Sequence, residues 1–223
     1  MNNKRLLSLA AVTLFCAAAA QAQSAGSFVL RAGGTSIMPD VDSGNLTAPS
    51  LVGTKVDVKN ASQVTGGISY MWTDHIVIDL PLGLPFKHDV VGDGAIANVG
   101  KLGTVKALPV TLMAQYRFGS PSSSIRPFVG AGATYARFFK PKATAALSGL
   151  TGGTPANPTL LTMKSVGGPT LQAGVIVGLG GRWAAEFDVK KVFLKTTGRL
   201  STGQTIETTL DPLAVSVGIA YSF

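Results

Sequence analysis

The side chains able to do covalent or metal chemistry are few. The sequence holds two histidines, His75 and His88, and one cysteine, Cys16. Serine-based acyl or lipid chemistry needs a base within hydrogen-bond reach of the nucleophile. Only His88 stands in a suggestive block, Phe86-Lys87-His88-Asp89 at the start of a long connection, and no serine partner is identifiable for it. No catalytic residue is assigned, and an enzyme is not expected. Two histidines fall short of a zinc centre built from protein ligands. Gly130-Ala131-Gly132 and Gly178-Leu179-Gly180 lack the third glycine and the following helix of a dinucleotide site. No metal or cofactor is therefore expected. What remains is a set of polar and charged residues inside otherwise apolar stretches: Arg31, Asp79, Gln115, Arg117, Gln172, Glu186, Asp188 and Lys190. Only 13% of the chain is charged, so the work of these residues depends on the elements that carry them.

The first element is a processing signal. Lys4 and Arg5 precede the apolar run Leu6 to Ala20, and Ala20-Gln21-Ala22 has the small-x-small form of a cleavage site. Residues 1–22 read as an export signal. A lipoprotein signal is the competing reading of Cys16, but Phe15 stands where a small residue is needed. Residues 23–223 then contain no thiol, which excludes disulfides, cysteine metal ligands and cysteine nucleophiles. The formal charge of +8 stays basic without Lys4 and Arg5, pointing to an anionic partner. Nucleic acid is not expected for an exported chain. A composition 46% apolar, with 27 Gly and 12 Pro, is neither disordered nor collagen-like. No apolar run reaches the roughly 18 residues of a membrane-spanning helix.

The apolar period beyond residue 22 is mostly two, which predicts strands. From Leu213 to Phe223 the odd positions are Leu, Val, Val, Ile, Tyr and Phe, and the even ones are small or polar. Leu108 to Phe118 and Ile76 to Phe86 alternate in the same way, with Phe86 counted on the oily side. Further strands are predicted at 27–38, 62–72, 125–138, 167–179 and 183–194, each of about 10 to 14 residues. A tilted strand crossing a bilayer takes roughly 9 to 11, against a soluble mean of about 5 to 6. Short connections at Thr73–His75, Gly119–Ser124 and Gly180–Arg182 alternate with long ones at 39–61, 88–107, 139–166 and 195–209. That is the pattern of an eight-stranded antiparallel transmembrane β-barrel of the outer-membrane type, occupying residues 23–223. Trp72, Phe118, Trp183, Tyr221 and Phe223 fall beside the short turns or the C-terminus, where an interfacial girdle belongs.

With each strand's oilier face toward lipid, the charged set points inward. Arg31, Asp79, Arg117, Glu186 and Asp188 would share the half of the lumen near the short turns and pair with one another. An eight-stranded barrel is only just wide enough for its own side chains, so a salt-bridged floor is expected in preference to an open aqueous pore. Solutes entering from the far side would then leave through the wall. Pro81, Pro85 and Pro109 remove ladder donors from two neighbouring strands and mark a lateral opening there. Ile37, Val192 and Leu194, near the outer end of the inward face, would line a hydrophobic pathway. Lysines and arginines gather in the long connections and adjacent strand ends, among them Lys55, Lys59, Lys87, Lys140, Lys190 and Lys195. There they suit the phosphates of lipopolysaccharide.

Four blocks carry a resemblance. They are Pro85-Phe86-Lys87-His88-Asp89; Leu108-Pro109 through Ala114-Gln115-Tyr116-Arg117-Phe118; Arg126-Pro127-Phe128-Val129-Gly130-Ala131-Gly132; and Leu210-Asp211-Pro212 with Val217-Gly218 and Tyr221-Ser222-Phe223. In these the chain resembles the OmpW family of small bacterial outer-membrane proteins. The resemblance implies a monomeric eight-stranded barrel in the cell outer membrane that passes small hydrophobic molecules inward. It also implies use of such barrels by phages or bacteriocins as receptors. Val189-Lys190-Lys191-Val192-Phe193 departs from the aromatics that the family tends to carry there, so no aromatic gate is transferred to a named residue. Tyr221 and Phe223 at the end of an alternating strand look like the signal read by the barrel-assembly machinery. A receptor or structural barrel, or a narrow ion-conducting pore, is the alternative to solute transport.

Overall fold

The computed structural model describes residues 23–223, and the export signal expected at 1–22 lies outside them. In chain order the strands are β1 (Phe28–Met38), β2 (Asp42–Ser43), β3 (Thr54–Val58), β4 (Ala61–Met71), β5 (Ile76–Gly83), β6 (Phe86–Gly94), β7 (Lys101–Arg117) and β8 (Ile125–Ala143). They continue as β9 (Leu161–Met163), β10 (Val166–Gly180), β11 (Trp183–Val192), β12 (Lys195–Leu200), β13 (Thr205–Thr209) and β14 (Leu213–Ser222). A short α-helix, α1 (Ala145–Leu150), is capped by Thr144, whose hydroxyl accepts a hydrogen bond from the Leu147 amide at 3.3 Å.

Eight antiparallel walls close on themselves. β1 pairs with β4 and β14; β4 pairs with β5; β5 and β6 in succession pair with β7; then come β8, β10, β11 and β14. Closure is what makes a sheet viable in lipid, because an open edge leaves backbone groups unpaired at several kcal/mol each. The alternation sorts as expected: Val217 and Ile219 are exposed on the outside of β14, while Ala214, Ala220 and Ser222 are buried. At the short-turn end Trp72, Phe118, Trp183 and Phe223 are exposed. Edge contacts link Trp183 to Tyr221 (4.8 Å between ring centroids), Tyr221 to Phe223 (5.0 Å) and Tyr116 to Phe118 (5.0 Å), giving an aromatic band.

The third wall departs from expectation. It is two strands with a break. β5 pairs with β7 up to Asp79↔Met113, and β6 resumes at Phe86↔Ala107. An undisturbed register would set Phe86 opposite Lys106. No ladder pair joins Leu80–Pro85 to Leu108–Leu112 among the described residues. Pro81, Pro85 and Pro109 sit in this stretch and supply no N–H. The one-residue offset turns Phe86 inward, where it is buried, whereas Leu80, Leu82 and Leu84 stay outside.

The expected long loops are also largely strand. β6 and β7 carry the wall beyond His88 and back from Lys101, so His88 is a buried strand residue and does not begin a loop. β8 runs to Ala143, and β2, β13, β12 and β9 form a second, four-stranded sheet. Above the membrane the outer face of a strand meets water, so the contrast between oily and polar faces that reveals a lipid-facing strand fades.

Candidate functional site

The lumen is layered. Nearest the short turns, Val29, Met71, Val77, Phe128, Ile176, Ala184 and Ala220 form an apolar plug. The ring of Phe128 lies over Gly174, where a Cβ would stand 2.5 Å from it, so glycine leaves room for the plug.

Above it Arg31 from β1 ion-pairs with both Asp79 from β5 and Glu186 from β11, joining three walls. Asp79 is fully buried and also accepts from the Ser69 hydroxyl at 2.7 Å. These three are the expected residues that meet directly. Arg117 is equally buried but ion-pairs with no carboxylate among the described residues; it donates to the side-chain oxygens of Gln23 (2.9 Å) and Gln115 (3.3 Å). Gln115 donates to Gln172 and Gln172 to Asp188, each at 3.1 Å. Asp188 forms its ion pair with Lys190. Arg117 and Asp188 are thus tied through amides, because the glutamines occupy the inward positions between them. Lys190 lies buried in the lumen and is no part of the basic rim. Two contributors escaped the sequence reading. Arg126 donates to the Gln23 and Phe118 carbonyls at 3.1 and 3.4 Å and to that of Asp74, and Gln23 crosses the barrel end. Arg126 stands two residues before inward Phe128, which is the phase signal that would have found it.

The next layer is hydroxyl. Thr35 bonds Thr65 (2.7 Å) and Ser216 (3.0 Å), and Thr134 bonds Thr111 (2.8 Å) and Thr170 (2.6 Å). Each group satisfies another, so this layer presents little unpaired polarity to the space above.

That space is a cavity of about 150 Å³. Ile37, Val192 and Leu194 all line it, with Val58, Phe138 and Leu210 completing an apolar chamber. Pro81 and Pro109 line it too. Pro85 does not; it stands at the break in the wall, with its carbonyl 3.4 Å from the Gln63 amide nitrogen. On the outside of the wall a groove of about 500 Å³ runs past Leu80, Val110 and Leu112. Thr111 and Thr134 border both groove and chamber. Ile96, Leu102 and Leu147 cluster with Leu200 of the second sheet, beside a smaller apolar cavity of about 90 Å³.

Neighbouring groups hold both histidine rings in place. His75 stands by the Thr73–His75 turn, its Nδ1 2.9 Å from the Arg117 carbonyl and its ring stacked on Tyr116. His88 lines the chamber.

Comparison with known proteins fits this architecture. The model of the OmpW family matches residues 24–223. Outer membrane protein W of Escherichia coli (strain K12) is 34% identical over 217 residues, 96% of each chain. The dibenzothiophene metabolism operon protein PahQ of Pseudomonas aeruginosa is 25% identical over 214 residues, 94% of this chain and 95% of that one. The crystal structure of the outer membrane protein OprG from Pseudomonas aeruginosa superposes with a TM-score of 0.81 at 25% identity, covering 91% of this chain and 98% of that one. With a closed eight-walled barrel, an aromatic band and a family match over nearly its whole described length, the chain is an outer-membrane barrel and belongs to the OmpW family.

Proposed function

We propose that this barrel takes small apolar molecules from the cell exterior into the chamber above the charged layer and releases them sideways into the membrane. The observation that carries this reading is the break in the third wall. Backbone pairing between β5 and β7 lapses where Pro81 and Pro109 line the chamber, and the outer groove begins at the same place. Below the chamber Arg31, Asp79 and Glu186 bridge three walls, which favours a closed floor over a water-filled route. One relative is named for a dibenzothiophene metabolism operon, and dibenzothiophene is uncharged and apolar.

The same reading assigns the rest of the molecule. Residues 1–22 are a cleaved export signal, the barrel works as a monomer, and it performs no catalysis. Tyr221 and Phe223 are read by the barrel-assembly machinery. Exposed lysines of the outer half, such as Lys59 and Lys195, meet lipopolysaccharide phosphates. The outer strands and connections are the surface that a phage or bacteriocin would use.

The test compares uptake of an apolar fluorescent solute with that of a small ionic one, through outer membranes with and without the protein and with Leu194→Asp. Selective apolar uptake that the variant loses is expected. Ionic uptake alone would indicate a narrow pore, and no difference for either solute would leave a receptor or structural barrel.

A further inference from the structure

The apolar upper half of the chamber that the proposed function relies on holds a polar ring atom without a hydrogen-bond partner among the described residues, Nε2 of His88. His88 is 5% exposed. The ring is fixed from two directions: it stacks on Phe86 at 6.5 Å between centroids, and its Nδ1 stands 2.9 Å from the Lys59 carbonyl. A carbonyl only accepts, so Nδ1 carries the hydrogen and Nε2 of the neutral ring is an acceptor. The ring's one hydrogen bond to a described residue is the one at Nδ1, so Nε2 has none. Lower in the lumen Thr35 is engaged with Thr65 and Ser216, and Lys190 with Asp188; Arg31 Nε and Glu186 Oε2, left unpartnered there, belong to the ion-paired layer at the chamber's base.

We infer that His88 Nε2 recognises a single hydrogen-bond donor, so that the chamber prefers apolar solutes bearing one hydroxyl, alcohols or phenols, over hydrocarbons of the same shape. A hydrocarbon seated against His88 strips water from Nε2 and leaves it unpaired. A hydroxyl directed at Nε2 replaces that water, and sites built around a buried acceptor discriminate on this basis. The ring cannot turn to evade the choice, because turning it would break the bond to Lys59 and the stack on Phe86. This inference rests on the reading of the lumen as a chamber for apolar solutes and adds the group that selects among them.

The experiment measures binding of naphthalene, 2-naphthol and 2-methoxynaphthalene to the barrel in lipid nanodiscs by their ring fluorescence, with empty nanodiscs giving each compound's lipid partition. Relative to that partition, 2-naphthol should be favoured over naphthalene by about fivefold, and 2-methoxynaphthalene, which has no donor, should not be. In His88→Phe the preference should vanish while naphthalene still binds, and His88→Gln, which restores an acceptor oxygen, should recover part of it. Because the three-compound comparison uses the unaltered protein, it stands even if a variant fails to fold. Equal partition-corrected binding of naphthalene and 2-naphthol, or a preference that survives in His88→Phe, overturns the inference and leaves the chamber intact. Failure of all three compounds to bind overturns the chamber reading and this inference with it.

Discussion

Leu84 and Phe86 stand two residues apart and face opposite sides of the barrel wall: Leu84 is 59% exposed and Phe86 is 2% exposed. An unbroken strand would place them on the same face. Between them Pro85 removes a ladder donor, and pairing with β7 resumes one residue out of step. The offset does two things at once. It leaves β5 and β7 unpaired beside the chamber, and it brings Phe86 and His88 inside it.

The break is therefore expected to depend on its prolines. Replacing Pro85 and Pro109 together by valine returns two donors and two strand-favouring side chains to the wall. Delivery of an apolar fluorophore from the outer side into the lipid should fall severalfold, while binding in the chamber changes little. Delivery at the wild-type rate in vesicles, with the variant barrel folded, would remove the wall break from the mechanism.

The layer beneath should matter for stability more than for permeation. Asp79→Asn strips a fully buried carboxylate from Arg31 and leaves that guanidinium with Glu186 alone. Breaking a buried pair from one side costs about 3 kcal/mol, and urea unfolding in lipid vesicles would record it. Asp57→Asn, which breaks the exposed pair with Lys59, should cost less than about 1 kcal/mol. A rise in ionic current through the Asp79 variant without loss of stability would mean that the layer is a path and not a floor.

The barrel was legible because lipid and lumen impose opposite chemistry on alternate residues. Val217 and Ile219 outside, with Ala214 and Ala220 inside, declare their strand with no help from its neighbours. The same contrast put Arg31, Asp79 and Glu186 inward. Three things were hidden for physical reasons. Pairing partners among the inward groups depend on register, so the routing of Arg117 to Asp188 through Gln115 and Gln172 could not be read from spacing. The offset at Pro85 reversed the phase after it, which placed Phe86 on the wrong face and His88 in a loop. Beyond the membrane, strands such as β12 and β13 carry threonine on both faces and resemble connections.

Substitution of Phe223 is expected to separate assembly from stability. Phe223 is exposed at the aromatic band; its amide donates to the Phe28 carbonyl at 2.8 Å, and its ring meets Tyr221 edge-on. Phe223→Ala keeps the backbone bond and loses a contact made at the membrane surface, so the assembled barrel should lose no more than about 1 kcal/mol. If Phe223 and Tyr221 are read during insertion, the cost instead falls in the cell. The heat-modifiable, folded fraction in outer membranes should drop severalfold, while unassisted refolding into detergent proceeds as for the wild type. Equal reductions in both settings would make Phe223 an ordinary packing residue, and no reduction in either would move the signal elsewhere on β14.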